Sequence, residues 1–128
     1  FDGGLRVKDI EQAAARRREA EANLRQEQLD AQTALLEAQA NQQAAIDALV
    51  TARDRVELAR ANWEALQVAF GAGAATPLEV ADAATNLRRA ELGALSEAIS
   101  VVSFGLDVAR ESGGVRPELG DVQAGGVP

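Results

Sequence analysis

The chain contains no cysteine, no histidine, no tyrosine and no methionine. Without cysteine there is no disulfide scaffold and no thiolate metal site, although the compartment stays open. Without histidine, cysteine or tyrosine, and with few carboxylates outside helix faces, no convincing nucleophile and base pair can be assembled. An enzyme is therefore not expected, nor is a cofactor or a metal. Positive charge is scarce: 13 Lys and Arg against 20 Asp and Glu leave a net charge of -7. That balance argues against nucleic acid, which needs a basic footprint, and against a basic amphipathic helix lying on lipid. No run approaches the ~18 apolar residues of a membrane-spanning helix. The richest, Ala98 to Ala109, is interrupted by Ser100, Ser103 and Asp107. An initiating Met is also missing, so a chain opening Phe1-Asp2-Gly3-Gly4 is expected to come from a longer precursor.

What the chain has is alanine, 28 of 128 residues, roughly three times common usage. Such a sequence builds narrow helices that lie close together. From Leu5 to Phe70 there is neither Gly nor Pro, enough for one helix of roughly 100 Å. Steps of four and three back from Phe70 reach 66, 63, 59, 56, 52, 49, 45, 42, 38, 35, 31 and on to Val7. Most of these positions are apolar; the exceptions are Gln42, Gln28, Glu21 and Arg17. A seam sustained over that length is a coiled-coil signal. Because many seam residues are Ala (14, 31, 38, 45, 52, 59), the partner helix must come close. Leu29, Leu36, Ile46, Val50, Leu58 and Val68 lie off the seam, which predicts a helix with neighbours on two sides, as in a bundle or ring of helices.

The organising stretch is Phe70-Gly71-Ala72-Gly73-Ala74-Ala75-Thr76-Pro77-Leu78-Glu79-Val80-Ala81-Asp82. Gly71 and Gly73 can each take the positive φ that ends a helix. Thr76 can then cap a second helix, with Pro77 at its first position and Glu79 completing a capping box. Residues 71–76 thus form a turn between antiparallel helices. The second helix is predicted over 77–111, with a seam of Leu78, Ala81, Thr85, Arg88, Leu92, Leu95, Ile99, Val102, Leu106 and Ala109 and a second apolar line of Ala84, Leu87, Ala94, Val101 and Val108. The first arm exceeds the second by about 45 Å at ~1.5 Å per residue, length that needs another segment or subunit as partner. Residues 112–128, rich in Gly and Pro, read as a flexible tail. The expected fold class is all-α, a long antiparallel helical hairpin.

The order of these motifs resembles the C-terminal half of the TolC-like outer-membrane efflux protein family. The shared features are Phe1-Asp2-Gly3-Gly4 before a long Ala-rich helix, an aromatic residue followed by Gly-x-Gly, and Leu78-Glu79-Val80-x-Asp82-Ala83 opening a second helix. The resemblance implies a trimeric outer-membrane channel. Residues 1–70 would supply a long helix of its periplasmic α-barrel after a strand-to-helix motif, 71–76 the tip and 77–111 the returning helix. The barrel strands would lie outside this chain. It also implies a homotrimer in the intact protein, a periplasmic adaptor and an inner-membrane pump as partners, and a bacterial outer-membrane location with this portion in the periplasm. The sequence departs from the family pattern at Phe70, where Tyr is common, at Ala81, where Leu is frequent, and at Ala74 or Ala75, where some members carry a basic residue.

Two carboxylates are candidates for function. Glu79 and Asp82 stand three apart on the first turn of the second helix, where a capping role for Glu79 and a dipole role for Asp82 suffice to explain them. The resemblance adds a second reading, an acidic constriction at the periplasmic mouth made by threefold repetition. Between Ala61 and Leu87 the only other ionisable side chain is Glu64, so the tip is acidic without counter-ions. Gly71 and Gly73 lack the strand and lysine of a phosphate loop. Trp63 reads as seam packing, Gln42 as a register-setting polar residue, and Arg16-Arg17-Arg18 as solvated and paired with Glu11, Glu19, Glu21 and Glu27. The alternative to a channel component is the coiled-coil hairpin of a periplasmic adaptor protein, which also needs a long up-and-down pair. Arms of equal length and flanking lipoyl-like β sequence would favour it.

Overall fold

A computed structural model describes residues 2–114, with the side chains of Asp2 and Gly114 outside the description. It is all-helical: α1 spans Asp2–Gly71 and α2 spans Pro77–Gly114. Phe1, and residues 115–128 of the expected tail, lie outside the described residues. The chain divides into two units, Phe1–Leu36 with Glu111–Pro128, and Glu37–Arg110. In the first, residues 3–36 are exposed apart from Ala14, Ala31, Ala34 and Leu35. Leu5, Val7, Ile10, Leu24 and Leu29 are all uncovered there, and one arginine of the basic run pairs, Arg17 with Glu21 at 3.6 Å.

The second unit is the hairpin. Its buried residues are Ala38, Ala45, Ala52 and Ala83. Three of these recur at seven-residue intervals along α1; between them Gln42 and Leu49, and beyond them Val56, Ala59, Trp63 and Leu66, are half-buried. At its tip end the seam is carried by Ala69, while Phe70 is exposed. The four-and-three pattern thus places the contact face of α1 correctly from Ala38 to Leu66.

On α2 the expected seam faces away from α1. Leu78, Ala81, Thr85, Arg88, Leu92, Leu95, Ile99, Val102, Leu106 and Ala109 are exposed, Leu92 at 67%. The side turned inward is the line Ala83, Ala84, Leu87, Ala90, Ala94, Val101 and Val108, with Ala83 only 3% exposed. Side-chain size accounts for the reversal. An α1 face built on Ala38, Ala45 and Ala52 lets backbones approach closely where α2 answers with Ala83, Ala90, Ala94 and Gly105, whereas an unbroken Leu and Ile stripe would hold the helices apart; Leu87, Val101, Phe104 and Val108 are half-buried among these small residues.

Gly105 carries the same logic furthest, since a Cβ there would stand 3.1 Å from the Gln42 side-chain nitrogen. Near the other end Arg60 reaches across to Glu91 at 3.2 Å. These two contacts set an antiparallel register in which Ile46 and Val50 lie level with the region around Ala98.

Two further expectations are corrected. α2 does not stop at Glu111 but continues through Gly114; glycine weakens a helix by only about 1 kcal/mol per residue and is no obligatory stop. Pro77–Gly113 also contains a stretch long and apolar enough, at a mean hydropathy of 1.5, to cross a membrane by length and composition. Serines and two acidic residues dilute the apolar stretch without lowering its average far enough to fail the test. Its bulky residues form a stripe along one side of α2, as expected of a helix seeking a neighbour.

Candidate functional site

The tip of the hairpin is built from two complementary end structures. At the end of α1, the Ala74 amide donates to the Ala69 carbonyl at 2.7 Å and the Gly73 amide to the Phe70 carbonyl at 3.0 Å. That pair of bonds is the Schellman arrangement, which requires a left-handed residue at the position of Gly73. Gly73 has φ of +76° and is the sole residue with positive φ among those described. Gly71, offered by the sequence as an equal candidate, is instead the last residue of α1. The bond geometry selects between the two glycines, because only Gly73 sits four residues after the acceptor Ala69 and one before the donor Ala74.

At the start of α2, Thr76 and Glu79 hold each other. The Glu79 amide donates to the Thr76 hydroxyl oxygen at 3.2 Å, while the Thr76 amide and hydroxyl donate to Glu79 Oε2 at 2.7 and 3.0 Å. Pro77, with no amide hydrogen, fills the first helical position at no loss. The first main-chain bond of the helix runs from the Val80 amide to the Thr76 carbonyl at 3.3 Å. Ala75 and Val80, which flank this cap, are both half-buried, as residues stapling a helix start would be.

This geometry fixes the state of Glu79. The Thr76 amide bond, then the Thr76 hydroxyl bond, hold its carboxyl below the ordinary glutamate value, with a small opposing effect from desolvation. Glu79 is therefore ionised and has one oxygen committed to the cap. Asp82, one turn further, is exposed and makes no hydrogen bond or ion pair within the described residues. The two acids thus differ. Glu79 is anchored by its own backbone, whereas Asp82 is free to meet whatever approaches the tip.

Gly71 and Gly73 stand in open space, with nothing near an added Cβ, and Trp63 is half-buried on the α1 seam. Among the described residues no cluster of acidic side chains has the arrangement of a metal site. Away from the tip, Arg55, Asn86 and Arg89 line an open groove of about 450 Å³ between the helices, floored by Ala52 and Ala90. The sequence reading did not single out this groove. Its signal was the pairing of flank positions across the two helices, visible only once the inward face of α2 is known.

No family model, curated protein or solved structure matches the chain. The likeness to the TolC-like family therefore rests on the sequence motifs alone.

Proposed function

We propose that this chain is part of a trimeric TolC-like outer-membrane efflux or secretion channel, contributing a helical hairpin to a periplasmic α-barrel exit duct. The observation that carries the reading is the stripe Leu78, Leu92, Leu95, Ile99, Val102 and Leu106, left uncovered on α2 while alanines pack the inside of the hairpin. Leu36, Ile46, Val50, Leu58 and Val68 are likewise exposed on α1. A self-sufficient two-helix hairpin has no use for large apolar residues outside, whereas a stave in a wall of helices needs them on its flanks.

In this reading the duct works passively, giving substrates a sealed path. Its partners are two further subunits, a periplasmic adaptor, an inner-membrane pump and the outer membrane. Catalysis and cofactors play no part. Threefold repetition of the tip would place Glu79 and Asp82 in an acidic ring favouring cations. Asp82 has the larger share, since Glu79 already spends an oxygen on Thr76. The test is conductance selectivity of the full-length trimer after Asp82→Asn and Glu79→Gln. Cation preference should fall, more for Asp82→Asn; an unchanged preference removes the ring from this account.

A further inference from the structure

We propose that the groove between Arg55 and Arg89 binds a small organic anion, a carboxylate or phosphate head on a short apolar body. Its polar groups are Thr51 and Arg55 from α1 and Asn86 and Arg89 from α2, all exposed, over a floor of alanines. A space of about 450 Å³ is of the size that small ligands occupy.

These two arginines differ from the others of the hairpin. Arg53, Arg60, Arg88 and Arg110 each have a carboxylate three or four positions away on their own helix, at Glu57, Glu64, Glu91 and Asp107 in turn, the spacing at which helical side chains pair. No position three or four away from Arg55 or Arg89 carries an acid. Neither arginine takes part in an ion pair or side-chain hydrogen bond among the described residues. The neighbouring acids do not answer them: Glu91 is held by Arg60 at 3.2 Å, and Asp54, one residue before Arg55, is turned about 100° round α1. Two unpaired guanidinium groups thus border one groove, where their fields add. Carboxylate and phosphate are the groups that a guanidinium fork recognises, and the Thr51 hydroxyl and Asn86 amide are further donors for their oxygens.

Gly93 makes room for the body of the ligand. Glycine is a poor helix former. At Gly105 the packing of Gln42 accounts for it, but a β-carbon on Gly93 would meet nothing within 4 Å. What the missing side chain does at Gly93 is leave the groove open above Ala52 and Ala90. Glu97, half-buried, lines the groove about two turns beyond Arg89. It repels a second negative charge at that end, so the ligand carries one anionic head, turned toward the arginines. Gly93 and Glu97 lie about 100° or more round α2 from each residue of the stripe Leu92 to Leu106, so a barrel neighbour seated on that stripe does not cover them. The site does not rest on the channel reading, and its test is separate from the conductance of the trimer.

The experiment titrates the 128-residue chain with hexanoate and with phenyl phosphate at low ionic strength, where screening is weak. Calorimetry gives the affinity and the NMR shift of the Gly93 amide gives the place. Saturable binding of either anion with a shift at Gly93 supports the site and identifies its head. Arg55→Gln and Arg89→Gln should each weaken binding about tenfold. Arg53→Gln, which lines a different hollow beside Arg60 and Glu91, should leave it unchanged, with equal helicity by circular dichroism in all three. Gly93→Leu, which alters no charge, should abolish binding by filling the groove, and Glu97→Gln should tighten it. Hexanol and inorganic phosphate, each lacking one half of the ligand, should bind more weakly than the organic anions. An unshifted Gly93 amide, equal affinity for hexanol and hexanoate, an equal loss in Arg53→Gln, or tighter binding of hexaglutamate than of either small anion would overturn the proposal.

Discussion

The side-chain nitrogen of Gln42 lies 3.1 Å from where a β-carbon on Gly105 would be, so the one polar residue in the alanine seam of the hairpin is matched by a missing side chain opposite. Gly105→Ala adds a methyl against the tip of a flexible side chain. The amide shifts by a few tenths of an ångström and the helix gains up to about 1 kcal/mol of intrinsic propensity. Gly105→Leu, by contrast, should lower stability by about 1–3 kcal/mol through overpacking. Thermal unfolding of the two variants checks the sign of each.

The two tip glycines should respond in opposite directions. Gly73→Ala forces a Cβ onto a residue at φ of +76° and is expected to destabilise by about 1–2 kcal/mol. Gly71→Ala, in the last turn of α1 with open space around it, should be neutral or stabilising by up to about 1 kcal/mol. The denaturant midpoint of Gly73→Ala should therefore fall below that of the parent, and the midpoint of Gly71→Ala should equal or exceed it.

Thr76→Ala removes both the acceptor for the Glu79 amide and the hydroxyl donor to its carboxylate, and should cost about 1 kcal/mol. The pH dependence follows from the lowered pKa of Glu79. A carboxyl depressed in the folded state adds stability that is fully present above its unfolded value and is lost as pH falls through the folded one. The parent should thus lose stability relative to Glu79→Gln on acidification below the ordinary glutamate range, and the gap between them should be constant above it. Paired melts across that range measure this, and a gap independent of pH throughout would contradict the assignment.

Arg60 and Glu91 are both about half exposed at 3.2 Å, so their ion pair should contribute under about 1 kcal/mol and fade with salt. A double-mutant cycle with Arg60→Ala and Glu91→Ala at low and high ionic strength reads that coupling directly.

How far the fold was legible depended on how many options each pattern left open. The seam of α1 was readable because Ala38, Ala45 and Ala52 hold one period for many turns. On α2 two apolar lines compete, and hydrophobicity alone chooses the bulkier, Leu92 to Leu106. The second line, Ala84, Leu87, Ala94, Val101 and Val108, is the one that faces α1, joined there by Ala83 and Ala90, because a seam of alanines gains close backbone approach where the residues opposite are small. That size rule was available in the sequence, since a seam of alanine already implied close approach. The Thr76–Glu79 spacing spelled out its cap, whereas Gly71 and Gly73 were equivalent until the Ala74–Ala69 bond separated them. Asp82 can be placed on its helix, but its role needs the neighbours that a single chain does not contain.

The central claim is that the side of α2 carrying Ala83, Ala90 and Ala94, with Leu87 and Phe104 half-buried beside them, faces α1, while the stripe from Leu78 to Leu106 serves other contacts. Comparing the unfolding free energies of Ala83→Leu and Leu78→Ala tests it most directly. The account predicts a loss of about 1–3 kcal/mol for the first, from overpacking a buried seam, and a change within about 0.5 kcal/mol for the second, a surface substitution. A harmless Ala83→Leu together with a Leu78→Ala loss of several kcal/mol would mean that the leucine stripe faces α1.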